Sequence, residues 1–248
     1  MEKIMLVTGA SRGIGAETAR LAARAGFDVC VNYRSGENQA QAVVDEIRAL
    51  GRRAIAVRAD IAKEAEVRRL FETLDSRLGR LSALVNNAGI LEQQSRFEEI
   101  SEKRLKRIID TNVVGSFLCA REAVLRMAHR YGGAGGVIVN LSSRASVLGS
   151  AFEYVDYAMS KGAIDSMTIG LANEVAGEGI RVSAVRPGLI YTDMHASGGE
   201  PGRVDRLKAA VPMRRGGSPA EVARAILWLV SDESSYTTGT FVDVSGGR

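Results

Sequence analysis

A short apolar run followed at once by three glycines decides the fold: Ile4-Met5-Leu6-Val7-Thr8-Gly9-Ala10-Ser11-Arg12-Gly13-Ile14-Gly15. The apolar run predicts a buried strand, and helix-forming residues follow over Ala16–Ala25. In such a strand–turn–helix unit the free N–H groups of the first helical turn converge and favour an anion. Glycine lets the backbone approach that anion closely. The segment therefore predicts a loop that holds a pyrophosphate. The alternative is a plain strand-to-helix turn, because the spacing G-x-x-x-G-x-G differs from the common G-x-G-x-x-G.

Working outward from this loop, short apolar runs alternate with amphipathic segments to the end of the chain. The runs that predict strands are Ile4–Val7, Val29–Tyr33, Ala54–Arg58, Ala83–Val85, Val137–Leu141, Val182–Val185 and Phe241–Val244. The segments with helical periodicity are Ala40–Leu50, Val67–Leu78, Leu105–Met127, Ala158–Val175 and Val222–Val230. This alternation predicts an α/β protein: a single Rossmann-type domain over residues 1–248, with a doubly wound, seven-stranded parallel sheet and helices on both faces.

The end of the second predicted strand indicates which dinucleotide binds. NAD-binding proteins place a carboxylate there to hydrogen-bond the ribose 2′-hydroxyl, but Val31–Ser35 contains no acid. Arg34 could face a 2′-phosphate instead, and Arg12 could grip the same group from the glycine loop. The expected cofactor is therefore NADP(H); the alternative is that both arginines are only solvated.

A tyrosine and a lysine lie one helical turn apart, Tyr157 and Lys161. A nearby ammonium favours the phenolate, which would let Tyr157 exchange a proton with an alcohol or carbonyl oxygen. A pair of this kind is more often an ordinary surface pair, but Ser142-Ser143 ends the fifth predicted strand. Hydroxyls at the carboxyl end of a parallel strand face the ligand crevice. The three positions together predict a site for acid–base chemistry.

Composition argues against several other classes of protein. The 33 basic and 29 acidic residues give a net charge of only +4, and they are interspersed, so no nucleic-acid surface is expected. We find no secretory signal and no apolar run long enough for a membrane span. Cys30 and Cys119 lie in apolar stretches, which indicates a reducing, cytoplasmic location. With two histidines and no Cys/His cluster, no metal site is expected.

Over its whole length the chain resembles the short, single-domain branch of the short-chain dehydrogenase/reductase family. The motifs that carry the resemblance occur in order: Thr8–Gly15, Asn86-Asn87-Ala88-Gly89, Thr111-Asn112, Ser142-Ser143, Tyr157 with Lys161, and Pro187-Gly188 followed by Thr192. The resemblance implies an oxidoreductase that transfers a hydride between a nicotinamide cofactor and a carbonyl or alcohol carbon.

The resemblance also implies roles for individual residues. Tyr157 would be the catalytic acid/base, Lys161 would lower its pKa, Ser143 would position the substrate oxygen, and Asn112 would hold a relay water. Asp60, which otherwise reads as a helix N-cap, would flank the adenine with Ile61. The residues implied to bind cofactor are Gly9, Ser11, Arg12, Gly13, Ile14, Gly15, Arg34, Asp60, Ile61, Asn87, Ala88, Gly89, Tyr157, Lys161, Pro187, Gly188, Ile190 and Thr192.

The segment Arg144–Asp156 departs from the family pattern, being one residue longer than usual and unusually polar. The extra residue leaves Ser142 as an alternative to Ser143. The polar side chains favour a small polar or sugar-like substrate. The alternative substrate is a 3-oxoacyl group on acyl carrier protein, which Glu178 would disfavour by repelling the acidic carrier. A remote alternative is a non-catalytic NADP-binding sensor.

Two further expectations concern assembly and motion. By resemblance the protein forms a homotetramer through Leu105–Met127, Ala225–Val230 and the C-terminal strand. The glycine-rich segment Met194–Val211 is expected to close over substrate and to be mobile without it.

Overall fold

Seven parallel strands form one twisted sheet in the computed structural model, which describes residues 3–248. The strands are β1 (Ile4–Val7), β2 (Asp28–Tyr33), β3 (Ala54–Arg58), β4 (Ala83–Asn86), β5 (Gly136–Leu141), β6 (Ile180–Pro187) and β7 (Phe241–Val244). Their order across the sheet is β3-β2-β1-β4-β5-β6-β7. The predicted strands are therefore confirmed, with bounds that move by at most two residues.

Helices connect the strands. Those of the first half are α1 (Gly13–Arg24), α2 (Glu37–Ala49), α3 (Glu64–Arg77), α4 (Glu102–Ile109) and α5 (Gly115–Met127). Those of the second half are α6 (Ala145–Leu148), α7 (Val155–Val175), α8 (Met194–Ser197), α9 (Arg203–Leu207) and α10 (Pro219–Val230).

The core lies on both faces of the sheet, because successive side chains of a strand point to opposite sides. In β1, Met5 and Val7 pack with the apolar faces of α1, α2 and α10, while Ile4 and Leu6 pack with α3, α5 and α7. All four side chains are fully buried. A strand covered on both faces needs a continuous apolar run, which explains why β1 lacks polar alternation.

The predicted helix over Leu105–Met127 is confirmed, but it is not a regular α-helix throughout. The segment begins in α4, passes through a π-helical turn at Asp110–Val114, and continues as α5. Such a turn holds one extra residue and bulges out of the regular helix. Asn112 lies at its centre and is fully buried.

Both loops expected at the substrate side contain short helices. The polar segment Arg144–Asp156 holds the single turn α6, and Met194–Val211 holds α8 and α9. Between Lys3 and Arg248 no helix is both long and apolar enough to cross a bilayer.

Candidate active site

The candidate site lies at the carboxyl edge of the sheet, where the connections change direction. β1 pairs with β2 on one side and with β4 on the other, so the chain leaves β1 and β4 toward opposite halves of the sheet. A crevice opens at such a switch point in doubly wound sheets. The segments after β1 to β6 all begin at this edge, and most of the predicted site residues lie on them.

The glycine loop after β1 packs directly against the segment after β4. A Cβ on Gly15 would lie 2.4 Å from the Asn87 amide nitrogen, so only glycine fits. That amide donates to the carbonyls of Thr8 at 2.8 Å and Gly9 at 3.0 Å. Gly13 differs: its φ is +58°, and a Cβ there would meet nothing closer than 3.7 Å. Gly15 therefore serves close packing, whereas Gly13 serves the conformation of the loop.

Two buried polar residues that sequence analysis missed hold this loop. The Thr8 hydroxyl accepts from the backbone N–H of Asn87 and of Ala88, both at 3.0 Å. The Asn32 side chain accepts from the N–H of Gly9 at 3.2 Å and donates to the carbonyl of Ala59 at 3.1 Å. A polar residue directly after the apolar run Val29–Val31 of β2 was the available signal for Asn32.

A cleft of 470 Å³ runs along this edge. The predicted cofactor residues that line it are Gly9, Ser11, Arg12, Gly13, Ile14, Arg34, Asp60, Ile61, Asn87, Ala88, Gly89 and Thr192. Gly15 lies behind the cleft. Arg12 and Arg34 are both exposed, and within residues 3–248 neither guanidinium has a hydrogen-bond or ion-pair partner.

Asp60 is not the N-cap of α3, because Lys63 precedes that helix. Its carboxylate accepts from the N–H of Ala62 at 3.1 Å in a tight turn. The side chain remains at the cleft wall.

A second cavity of 500 Å³ adjoins the cleft and contains the candidate catalytic group. Both spaces are lined by Ile14, Asn87, Leu91, Thr192 and Met194, which therefore mark their junction. The other predicted residues that line this cavity are Ser142, Ser143, Tyr157, Lys161, Pro187, Gly188 and Ile190.

The two candidate serines have different surroundings. The Ser142 side chain is buried, and its hydroxyl donates to the carbonyl of Lys161 at 3.3 Å. The Ser143 hydroxyl accepts the N–H of Ala145 at 3.1 Å. It also hydrogen-bonds the Tyr157 phenol, which lowers the tyrosine pKa. This geometry favours Ser143 as the serine that addresses a substrate.

Burial sets the protonation of both key side chains. It raises the pKa of Tyr157 to about 12, against a smaller lowering effect of the Ser143 hydroxyl. It lowers the pKa of Lys161 to about 8, and Asp165 opposes this shift. The Lys161 ammonium donates to the carbonyl of Leu141 at 2.5 Å and lies 5.6 Å from the centre of the Tyr157 ring. Burial thus dominates and favours the neutral phenol in this structure, and the lowering of the Tyr157 pKa by Lys161 stays a prediction.

Asn112 ties three parts of the site together from the π-helical turn. Its side-chain oxygen accepts the N–H of Ile90 at 2.8 Å. Its amide nitrogen donates to the carbonyl of Ile90 at 3.1 Å and to the hydroxyl of Ser160 at 3.0 Å. The residue lines neither cavity, so its side chain holds backbone and helix in place.

The far wall of the second cavity is polar. Glu153 and Arg203 form a bidentate ion pair, and Arg203 lies over the Tyr154 ring at 5.0 Å. The Tyr154 hydroxyl donates to the carbonyl of Gly198 at 3.2 Å. These contacts join the loop before α7 to the α8–α9 segment, and the expected closure of that segment over substrate stays a prediction.

Comparison with known proteins identifies the family. The family model described as enoyl-(acyl carrier protein) reductase matches residues 9–248. The oxidoreductase YgfF of Escherichia coli (strain K12) is 57% identical over 245 residues, which are 99% of each chain. The chain belongs to the short-chain dehydrogenase/reductase family. It is an oxidoreductase of that family, and the resemblance inferred from its motifs is confirmed.

Other short-chain dehydrogenase/reductases are more distant. The 3-oxoacyl-[acyl-carrier-protein] reductase FabG of Staphylococcus epidermidis is 36% identical and is matched over 100% of this chain and 99% of its own. A short-chain dehydrogenase from Burkholderia cenocepacia, solved in complex with NADP, has a TM-score of 0.90 at 32% identity, covering 99% and 97% of the two chains. The acetoin dehydrogenase YohF of Salmonella typhimurium has a TM-score of 0.87 at 33% identity, covering 100% and 97%.

Proposed function

We propose that the protein is an NADP(H)-dependent oxidoreductase that interconverts a carbonyl and a secondary alcohol on a small polar or sugar-like substrate. The observation that carries the proposal is the junction of two spaces: the cleft lined by the predicted cofactor residues meets the second cavity, and Tyr157 lines that cavity.

The residues of the cleft fit a phosphorylated dinucleotide. The N-terminus of α1 offers free N–H groups, and no side chain of the described residues caps them. Arg12 and Arg34 supply two unpaired guanidinium groups for a 2′-phosphate, and the cleft wall after β2 holds no carboxylate in their place. A relative solved with NADP supports this choice. When bound, the reduced cofactor supplies the hydride.

The chain itself supplies the proton and its orientation. Tyr157, kept protonated by its raised pKa, donates the phenolic proton to the carbonyl oxygen during reduction. The Ser143 hydroxyl holds the same oxygen. Lys161, charged below its pKa of about 8, stabilises the phenolate left behind. In alcohol oxidation the proton moves the opposite way.

Two buried polar atoms without partners support a hydroxylated substrate. Among residues 3–248, five buried side-chain polar atoms have no partner, and two of them, Arg144 Nε and His195 Nδ1, belong to residues that line the second cavity. His195 Nε2 lies 2.9 Å from the carbonyl of Ile190, so Nε2 carries the proton and Nδ1 is an acceptor. Burial lowers the His195 pKa, which favours this neutral form. An acceptor and a donor without partners match a hydroxyl beside the reacting carbonyl.

The test is a turnover screen with NADPH and NADP⁺ that uses matched substrates, such as acetoin against 2-butanone, which differ by one hydroxyl. We expect higher kcat/KM for the hydroxylated partner. His195→Gln keeps a donor at the ε position but removes the δ acceptor, so it should reduce the preference for the hydroxylated substrate. His195→Asn can present an oxygen at the δ position and should therefore retain more of that preference. Equal preference in all three proteins would reject the hydroxylated substrate.

A second candidate is reduction of a 3-oxoacyl group on acyl carrier protein, which the full-length likeness to FabG supports. The argument against it from Glu178 is weaker than the sequence indicates. The Glu178 carboxylate accepts the N–H of Arg130 at 2.8 Å and lies 3.8 Å from its guanidinium, which offsets its charge. Turnover of an oxoacyl thioester exceeding that of every hydroxy ketone and sugar in the same screen would favour this candidate. No turnover with any substrate would favour a non-catalytic NADP-binding protein.

We also propose that the chain folds as a single domain. We further propose that it assembles as a homotetramer and is located in the cytoplasm. The buried thiols of Cys30 and Cys119 support the reducing location. Large apolar side chains remain exposed on the expected interface helices, including Phe117 and Leu125 of α5 and Trp228 of α10. A monomeric mass by light scattering at micromolar concentration would reject the assembly.

A further inference from the structure

Arg104 of α4 forms a buried ion pair with the residue that precedes Tyr157. Its guanidinium donates to Asp156 through Nε at 2.7 Å and through Nη2 at 3.0 Å. The Asp156 side chain is 1% exposed and that of Arg104 is 13% exposed. A bidentate pair of this kind fixes both distance and orientation.

Both partners of the pair hold further parts of the site. The Asp156 carboxylate also accepts the N–H of Tyr157 at 2.9 Å. Arg104 Nη1 donates to the carbonyl of Gln93 at 2.6 Å, on the segment that continues from the cleft-lining residues Ile90 and Leu91. Arg104 thus joins α4, the segment after β4 and the start of α7.

A second link joins the same two helical segments on the other side of Tyr157. Asn112 donates to Ser160, and the Ser160 hydroxyl donates in turn to the Tyr157 carbonyl at 2.7 Å. The two links attach to α7 at residues 156 and 160 and therefore bracket Tyr157. The first turn of α7 is held from both ends against the helix that carries the π-helical turn.

We infer that Arg104 is a positioning residue for Tyr157, acting through Asp156. The inference rests on the proposed acid/base role of Tyr157. Arg104 lines neither the cleft nor the second cavity, so it touches neither substrate nor cofactor. Its effect is to hold the phenol where the substrate oxygen arrives.

Breaking the Arg104–Asp156 pair should lower the rate of the chemical step more than it weakens the binding of substrate and cofactor. A displacement of about 1 Å at a reacting group costs on the order of 100-fold in rate. Arg104→Gln should therefore lower kcat about 10- to 100-fold, with KM and cofactor Kd changed less than about twofold. Arg104→Lys keeps the charge but loses the bidentate fork, so its kcat should lie between those of Arg104→Gln and wild type.

The experiment compares these variants with Lys106→Gln, which breaks the exposed Glu102–Lys106 pair on the same helix. All proteins are assayed on the best substrate of the screen, well below their unfolding temperatures. Asp156→Asn, which keeps an acceptor for the Tyr157 N–H, serves as the second variant if Arg104→Gln does not fold; its kcat should also fall while KM holds. If Arg104→Gln matches Lys106→Gln in kcat, or if kcat, KM and Kd all deteriorate together, the positioning role is wrong.

The Tyr157→Phe variant distinguishes the failure of the positioning role from the failure of the proposed mechanism. Wild-type turnover in that variant rejects the proposed mechanism, whereas its inactivity beside a fully active Arg104→Gln rejects only the positioning role.

Discussion

Replacing Arg34 with alanine should weaken the binding of NADPH but not of NADH. Because neither Arg34 nor Arg12 has a partner within residues 3–248, the substitution breaks no contact inside the protein and its whole effect falls on the ligand. Hydrogen bonds to charged groups contribute about 1.5–3 kcal/mol. Since both guanidinium groups are exposed and screened by solvent, we expect the lower end, about tenfold in Kd for each arginine and about 100-fold for the double variant.

The assay is titration of each variant with NADPH and with NADH, following nicotinamide fluorescence at low and high salt. Arg58→Ala is the matched control, because Arg58 is an exposed arginine at the end of the neighbouring strand β3 and does not line the cleft. Arg34→Asp should go further and shift preference toward NADH, because the new carboxylate repels the phosphate and can accept from a ribose hydroxyl. A Kd for NADPH that stays within twofold of wild type in the double variant would refute the assignment of both arginines.

Three further predictions concern turnover and the α8–α9 segment. Tyr157→Phe should lower kcat at least about 100-fold with cofactor Kd unchanged, as measured by steady-state kinetics and titration, because only the proton donor is lost; near wild-type kcat would contradict the mechanism. In wild type, kcat/KM for reduction should fall as pH rises through about 8, where Lys161 loses its charge, while Tyr157 stays protonated up to about 12; a flat profile between pH 6 and 10 would exclude this role for Lys161. Glu153→Gln weakens the pair with Arg203 and should speed hydrogen exchange across residues 198–207 and raise substrate KM; unchanged exchange would show that the pair does not fasten the segment.

Apolar periodicity located the helices but consistently missed their first turns. The predicted helices that start at Ala40, Val67, Ala158 and Val222 begin three residues earlier in the structure, at Glu37, Glu64, Val155 and Pro219. Three residues are nearly one helical turn. Each of these first turns carries an acidic residue, namely Glu37, Glu64, Asp156 and Glu221, so a search for apolar spacing starts one turn late. For the last of these helices, Ser218-Pro219-Ala220-Glu221 forms a capping box that could have located its start.

Those parts of the candidate site for which the chemistry requires a particular residue type could be predicted from the sequence. Those parts that depend on how distant segments pack could not. The phenol, the lysine and the glycines stand in recognisable spacings, so the sequence alone brought them together. The surroundings that set their pKa values depend on burial, which has no local signal. The Arg104–Asp156 pair could not be predicted from the sequence either, because it joins residues 52 positions apart in different helices.

The π-helical turn at Asp110–Val114 divides the α4–α5 helix into two parts that are out of phase. One residue of a regular helix turns the chain by roughly 100°. Loss of a single residue here would leave a regular α-helix, so the chain could absorb the deletion locally without opening the sheet. If the lost residue lies before Asn112, α4 with Arg104 would rotate relative to Asn112, and both links to α7 could not then form together. A single-residue deletion at this point of the chain should therefore lower turnover more than it lowers the stability of the fold.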